Sequence, residues 1–154
     1  MTKEGLRDSG IALLRVGIGG VFVAHGIQKL AMFGISGLAG VMTQIGVPFP
    51  TLSAIAVTAA ELGGGLALVA GLFTRWAALP IAFSMIVAAL TVHLKGGFFL
   101  PNGVEYVLTL FVASVALALT GSGAFSVDRL LEKRGAGESA ETPERSYPQP
   151  LEVR

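Results

Sequence analysis

Apolar positions along this chain gather into four long blocks, residues 10–27, 52–73, 76–94 and 104–120, separated by short stretches richer in glycine, proline and charge. A helix rises about 1.5 Å per residue, so roughly 20 apolar residues cross the hydrocarbon core of a bilayer. The blocks match that length, and the pattern predicts an all-α membrane protein, a bundle of four transmembrane helices. The connection at Thr74 and Arg75 is too short for anything but antiparallel neighbours, which pairs the second and third spans.

Residues 31–50 carry no charge. Within them Ile35, Leu38, Val41, Met42 and Ile45 recur at helical spacing, and Gly46, Pro48 and Pro50 end the run. This predicts a short helix in the first outward loop, lying in the interface or folded back over the bundle. From Gly135 onward the composition turns to Gly, Glu, Ser and Pro. The expected division is a membrane domain over residues 1–134 and a disordered polar tail over 135–154.

Two helical stripes stand out. Arg15, Gly19, Phe22, Gly26 and Lys29 share one face of the first span, and Thr58, Glu61 and Gly65 share one face of the second. The small residues in these stripes, with Gly17, Gly20, Gly63 and Gly64 beside them, suit close helix contacts in a medium that offers no hydrophobic drive.

Charge fixes the expected orientation. Lys3, Arg7, Arg75, Arg129, Lys133 and Arg134 fall on one side of the spans, while only Lys29 and Lys95 fall on the other. Cytoplasmic loops concentrate Lys and Arg, so both termini are expected in the cytoplasm, with the chain in the plasma (inner) membrane as a multi-pass protein. Lys3 and Arg7 ahead of an apolar run also resemble a secretion signal. Arg15 inside the run and the lack of a clear small-residue cleavage site favour a retained helix.

Composition narrows the function classes. The 154 residues are 53% hydrophobic and 14% charged with a mean hydropathy of +0.72, which leaves no room for a separate soluble catalytic domain. Eleven basic against 10 acidic residues give no sign of a nucleic-acid partner. The chain has no cysteine, which removes dithiol chemistry and iron–sulfur ligation. Phosphate-binding glycine loops, zinc spacings and nucleophile elbows are absent as well.

The candidate chemistry therefore rests on charges inside the spans. Placing one at bilayer depth costs about 3 kcal/mol on insertion scales, so such groups face the bundle interior and pair. Arg15 and Glu61 are the deepest. They suit either a structural ion pair that fixes helix register, directly or through a water, or a Glu61 that exchanges protons or binds a ligand. At the outer end His25, Lys29, His93, Lys95 and Glu105 fall near one depth. Snorkelling explains the lysines and a first-turn dipole contact explains Glu105 equally well.

Two histidines on different helices invite a bis-histidine haem, but their position at the membrane edge disfavours it. No metal site is expected, because Glu61 and Glu105 differ in depth. A lipid-soluble ligand with a polar head, such as a quinone, fits better. Its carbonyl oxygens need donors, which His25, His93 and Lys29 supply, and its protons need a relay, which Glu61 or Glu105 supplies.

The motifs themselves resemble a known family. They run L-L-R-V-G-I-G-G-V-F-V-A-H-G-I-Q-K-L from residue 13, A-E-L-G-G-G-L-A-L-V-A-G-L-F-T-R from residue 60, T-V-H from 91, N-G-V-E-Y from 102 and G-S-G-A-F-S-V-D from 121. In this order on a four-span chain they are similar to the DoxX family of small bacterial and archaeal four-helix membrane proteins. The resemblance covers residues 11–131. It implies a link to quinones, since the family takes its name from a thiosulfate:quinone oxidoreductase with DoxX-like or DoxD-like membrane subunits. It also implies a link to catechol stress and to membrane redox complexes that protect against oxidants. By the same resemblance Arg15, Lys29, Glu61, His93 and Glu105 match family positions, whereas His25 has no such match and enters by expected proximity alone. The cysteine-pair branches of the family are not matched.

The expected assignment gives Glu61, His93 and Glu105 catalytic roles and Arg15, His25 and Lys29 ligand-binding roles, with a quinone as the ligand. The expected function is a quinone-interacting membrane subunit of a redox or oxidative-stress complex. A non-catalytic scaffold that docks soluble oxidoreductases is the first alternative. Transport of a small solute or proton by a homo-oligomer is the second. The expected partners are membrane lipid and redox proteins.

Overall fold

The computed structural model describes the backbone of residues 2–140 and the side chains of residues 2–134. Every regular element among them is helical. Helix α1 spans Lys3–Gln28, opened by Thr2, whose side-chain oxygen accepts the Gly5 N–H at 3.2 Å. A π-helical turn, Lys29–Phe33, follows and ends at Gly34, which sits at φ +62°. Helix α2 (Gly34–Gln44), α3 (Pro50–Ala70) and α4 (Thr74–Ala88) come next. A second π-helical turn, Ala89–His93, prolongs α4 and passes into a single 3-10 turn. Helices α5 (Glu105–Thr120) and α6 (Val127–Ala140) complete the described chain.

Three helical stretches are long and apolar enough to cross a membrane: Lys3–Gln44, Pro50–Ala70 and Thr74–Gly96. Helix α5 is apolar but has 16 residues, about 24 Å of rise. Helix α6 runs on to Ala140, past the boundary where a polar tail was expected at Gly135. The rest of that expected tail, residues 141–154, lies outside the described residues.

The bundle is a ring: α1 packs on α3, α3 on α4, α4 on α5, and α5 closes more lightly on α1. The two predicted stripes form its tightest seam. Arg15, Gly19, Phe22 and Gly26 are all buried, as are Thr58, Glu61 and Gly65. A Cβ on Gly19 would lie 2.7 Å from the Gly65 carbonyl oxygen, and one on Gly65 would lie 2.8 Å from the Gly19 carbonyl oxygen. The two backbones touch here, which only glycine permits on both sides. Gly17, Gly20 and Gly63, in contrast, face open space and contribute nothing to this contact.

Phe22, Leu68, Ile81 and Leu117, one from each of the four packed helices, are essentially inaccessible and join in one apolar cluster. Helix α2 folds back onto the start of α3, where Leu38 and Ala39 pack on Ala54 in a second, smaller cluster. The stretch from 31 to 50 thus contains a helix, α2, laid against the bundle.

Candidate functional site

Polar groups collect at the two opposite ends of the apolar core. At one end Arg15 reaches away from Glu61. Its two terminal nitrogens donate to the carbonyl oxygens of Ser122 and Phe125, each at 2.6 Å. The Asp128 carboxylate accepts the backbone N–H of Phe73 at 2.8 Å, and the Asp128 N–H donates to the Gly71 carbonyl at 3.1 Å. Phe73 occupies the left-handed region at φ +46° and provides no side-chain cap for α4, so Asp128 supplies that cap from across the bundle. Gly71 is pressed against the arginine: a Cβ there would lie 2.2 Å from a guanidinium nitrogen. Arg15 is therefore the keystone of the α3–α4 and α5–α6 connections. The expected Arg15–Glu61 pair does not form, because the freed carbonyls of a glycine-rich turn offer the guanidinium two well-aligned acceptors nearer its own end of the bundle.

Glu61 pairs with Lys29 instead. Glu61 is 3% exposed and the Lys29 side chain 22%, so the carboxylate is inside and the ammonium bridges to the edge. The pair opens onto a mostly apolar cavity of about 520 Å³ between α2, α3 and α4. Val41 and Met42 from α2, with Ile45 just past its end, form one wall, with Val57 from α3 and Phe83 and Val87 from α4 facing them. His93, Ser84 and Thr91 add the remaining polar groups. The His93 Nδ1 lies 3.3 Å from the Asn102 carbonyl oxygen. A carbonyl only accepts, so a hydrogen bond here needs a proton on Nδ1.

Both π-helical turns border this cavity. Lys29 opens the first and His93 closes the second. A π turn displaces the following side chains around the helix axis, and such turns concentrate at functional sites. Lys29, where α1 meets the first turn, and His93, at the end of the second, reach the same apolar space.

Of the six expected site residues, the structure brings Lys29, Glu61 and His93 together. It separates the other three. Arg15 is at the far end of the core. The His25 ring stands 6.4 Å from that of Tyr106, away from the cavity lining. Glu105 opens α5, as its position predicted, and its carboxylate accepts the Leu100 N–H at 2.7 Å, which folds the 97–104 connection onto the helix. Ser84 and Thr91 were missed. Their spacing with Val87 and Ala88 marks one face of a helix, a signal that the absence of charge concealed.

The Lys29 ammonium and the Glu61 carboxylate form an ion pair in a cavity otherwise suited to an apolar ring or chain. Among the described residues no group of three or more His, Cys, Asp or Glu side chains is placed to hold a metal ion.

A helical bundle whose surface is apolar and which encloses a large apolar cavity beside a buried ion pair defines an integral membrane protein with a candidate internal site. The DoxX family model matches residues 10–94, which contain Arg15, Lys29, Glu61 and His93, and the chain belongs to the DoxX family. The putative oxidoreductase CatD of Bacillus subtilis (strain 168) is 36% identical over 126 residues, covering 82% of this chain and 90% of its own. The inner membrane proteins YqjF and YphA of Escherichia coli (strain K12) are 33% and 30% identical, covering 84% and 77% of this chain and 97% and 88% of theirs. The protein is accordingly a multi-pass protein of the plasma (inner) membrane. No solved structure matches.

Proposed function

We propose that the protein is a quinone-interacting membrane subunit of a redox or oxidative-stress complex, with α1, α3, α4 and α5 crossing the bilayer and both termini cytoplasmic. The observation that carries this reading is the Lys29–Glu61 pair set into an apolar cavity beside His93. Such a cavity suits a lipid-soluble ring, and its few polar groups suit the ring's carbonyl oxygens. The name of CatD, a putative oxidoreductase, supports the redox half of the reading.

A bound quinone supplies a couple that takes up two electrons and two protons. The chain's own residues have simpler tasks. Lys29 donates a hydrogen bond to a ring carbonyl, Glu61 balances its charge and relays protons, and His93 offers its second ring nitrogen as a donor at the mouth. The Ser84 and Thr91 hydroxyls donate to the Ile81 and Val87 carbonyls, which leaves their oxygens as acceptors toward the cavity. Electrons come from a partner oxidoreductase, since none of these side chains carries them.

Quinone-analogue binding by the detergent-purified protein, followed as a thermal shift, tests the reading. Saturable stabilisation of the parent, absent in Glu61→Gln and His93→Ala variants that still fold, is the expected result. No shift with any quinone overturns it.

A further inference from the structure

We propose that α6 lies in the headgroup plane of the membrane and binds anionic lipid, so that the bundle carries a lipid-recognition helix at the end opposite its cavity.

The sequence of α6 is amphipathic over its described side chains. Val127, Leu130 and Leu131 share one face at spacings of three and four, while Asp128, Arg129, Glu132 and Lys133 take the other. The apolar face is uncovered: Leu130 is 60% and Leu131 51% exposed. Among the described residues, α6 meets the bundle through its first turn, where Asp128 caps the start of α4, and packs no extended face on another helix. An apolar face left in water beside a membrane-crossing bundle is costly, at about 25 cal/mol for each Å².

Three observations point to lipid as the occupant. First, the start of α6 is bolted to the end of the bundle. Asp128 bonds the Phe73 N–H and the Gly71 carbonyl, and Arg15 holds the Phe125 carbonyl, which fixes the helix at the level where α3 ends and α4 begins. Second, that level carries an outward aromatic set. Trp76 is 75% exposed, and Phe73 and Phe125 are exposed too, the arrangement that marks a membrane–water interface. The face of Leu130 and Leu131 continues this apolar rim. Third, although α6 balances Asp128, Glu132 and Glu138 against Arg129, Lys133 and Arg134, its unengaged cations stand together. Glu132 is engaged by Arg129 at 3.0 Å and Asp128 by the α4 N-terminus, which leaves Lys133 and Arg134 exposed beyond them. Arg134 falls on the apolar face one turn past Leu130, where a long side chain snorkels to phosphate.

The chain has no cysteine, so a single introduced thiol reports cleanly. Leu131→Cys, labelled with an environment-sensitive fluorophore in the full-length protein, is reconstituted into vesicles with 30% phosphatidylglycerol or with phosphatidylcholine alone. A Glu132→Cys label on the opposite face is the control. The expected result is blue-shifted emission at position 131, quenched by spin-labelled lipid, with water-like emission at 132. The expected charge effect is a several-fold weaker quenching in phosphatidylcholine or with Lys133→Glu and Arg134→Glu combined. Water-like emission at both positions in both vesicles overturns the proposal and leaves the face free for a protein partner. Equal quenching in both vesicles overturns the anionic-lipid half. Because the readout involves neither the cavity nor a quinone, it stands or falls separately from the proposed function.

Discussion

Arg15 and Ser122 are 107 positions apart in the chain, yet the guanidinium donates to the Ser122 carbonyl at 2.6 Å. That bond, with its twin to Phe125, ties the first helix to the connection after α5 and keeps the lightest seam of the ring closed. A charged donor bond of this kind contributes about 1.5 to 3 kcal/mol, and breaking it strands a buried acceptor. Arg15→Met is therefore expected to lower the thermal midpoint sharply in detergent. Arg15→Lys, with one point donor in place of a fork, is expected to recover only part of the loss.

The Lys29–Glu61 pair separates stability from binding. Glu61→Leu alone leaves an ammonium facing an apolar wall and is expected to destabilise by roughly 3 kcal/mol. Lys29→Met combined with Glu61→Leu replaces the pair with apolar neighbours of similar size. The double variant is expected to melt near the parent while losing any quinone-induced stabilisation. A double variant that still responds to quinone would remove the pair from the site.

Glycine substitutions give a sharp internal control. Gly65→Leu must push α1 away from α3, since even a Cβ meets backbone at 2.8 Å, and is expected to abolish the folded monomer on native gels. Gly20→Ala meets nothing within 4 Å. It is expected to be neutral or to stabilise by up to about 1 kcal/mol, because alanine is the better helix former.

Glu105 is expected to organise a loop. Removing its carboxylate in Glu105→Gln weakens the anchor of Leu100, so amide exchange should accelerate across residues 97–104. Ligand binding in the cavity is expected to stay within about twofold of the parent, in contrast to Glu61→Gln, because Glu105 does not line it.

The helices were legible because their signals are local. Apolar block length placed α3, α4 and α5 close to where they stand, and the 4-3-4-3 spacing of Arg15, Gly19, Phe22, Gly26 and Lys29 identified the buried face of α1. Helix α2 followed from the spacing of Leu38, Val41 and Met42 in a charge-free stretch. Partner choice was not legible. Arg15 and Glu61 are the deepest charges of opposite sign, but the true acceptors of Arg15 are backbone carbonyls, which every residue has and no sequence pattern marks. The π turns were invisible for the same reason: each is a one-residue shift of register without a compositional signal. The second brings His93 to the cavity, whereas Lys29 reaches it on the regular stripe of α1.

The apolar cluster at the middle of the bundle has a consequence for proton access. On every one of the four packed helices a sealed apolar side chain, Phe22, Leu68, Ile81 or Leu117, stands between the Arg15 end and the Glu61 end. These side chains form an apolar plug that separates the guanidinium at one end of the bundle from the carboxylate at the other. Under the proposed function, a proton that Glu61 exchanges therefore has its shortest route to water on the His93 side of the plug.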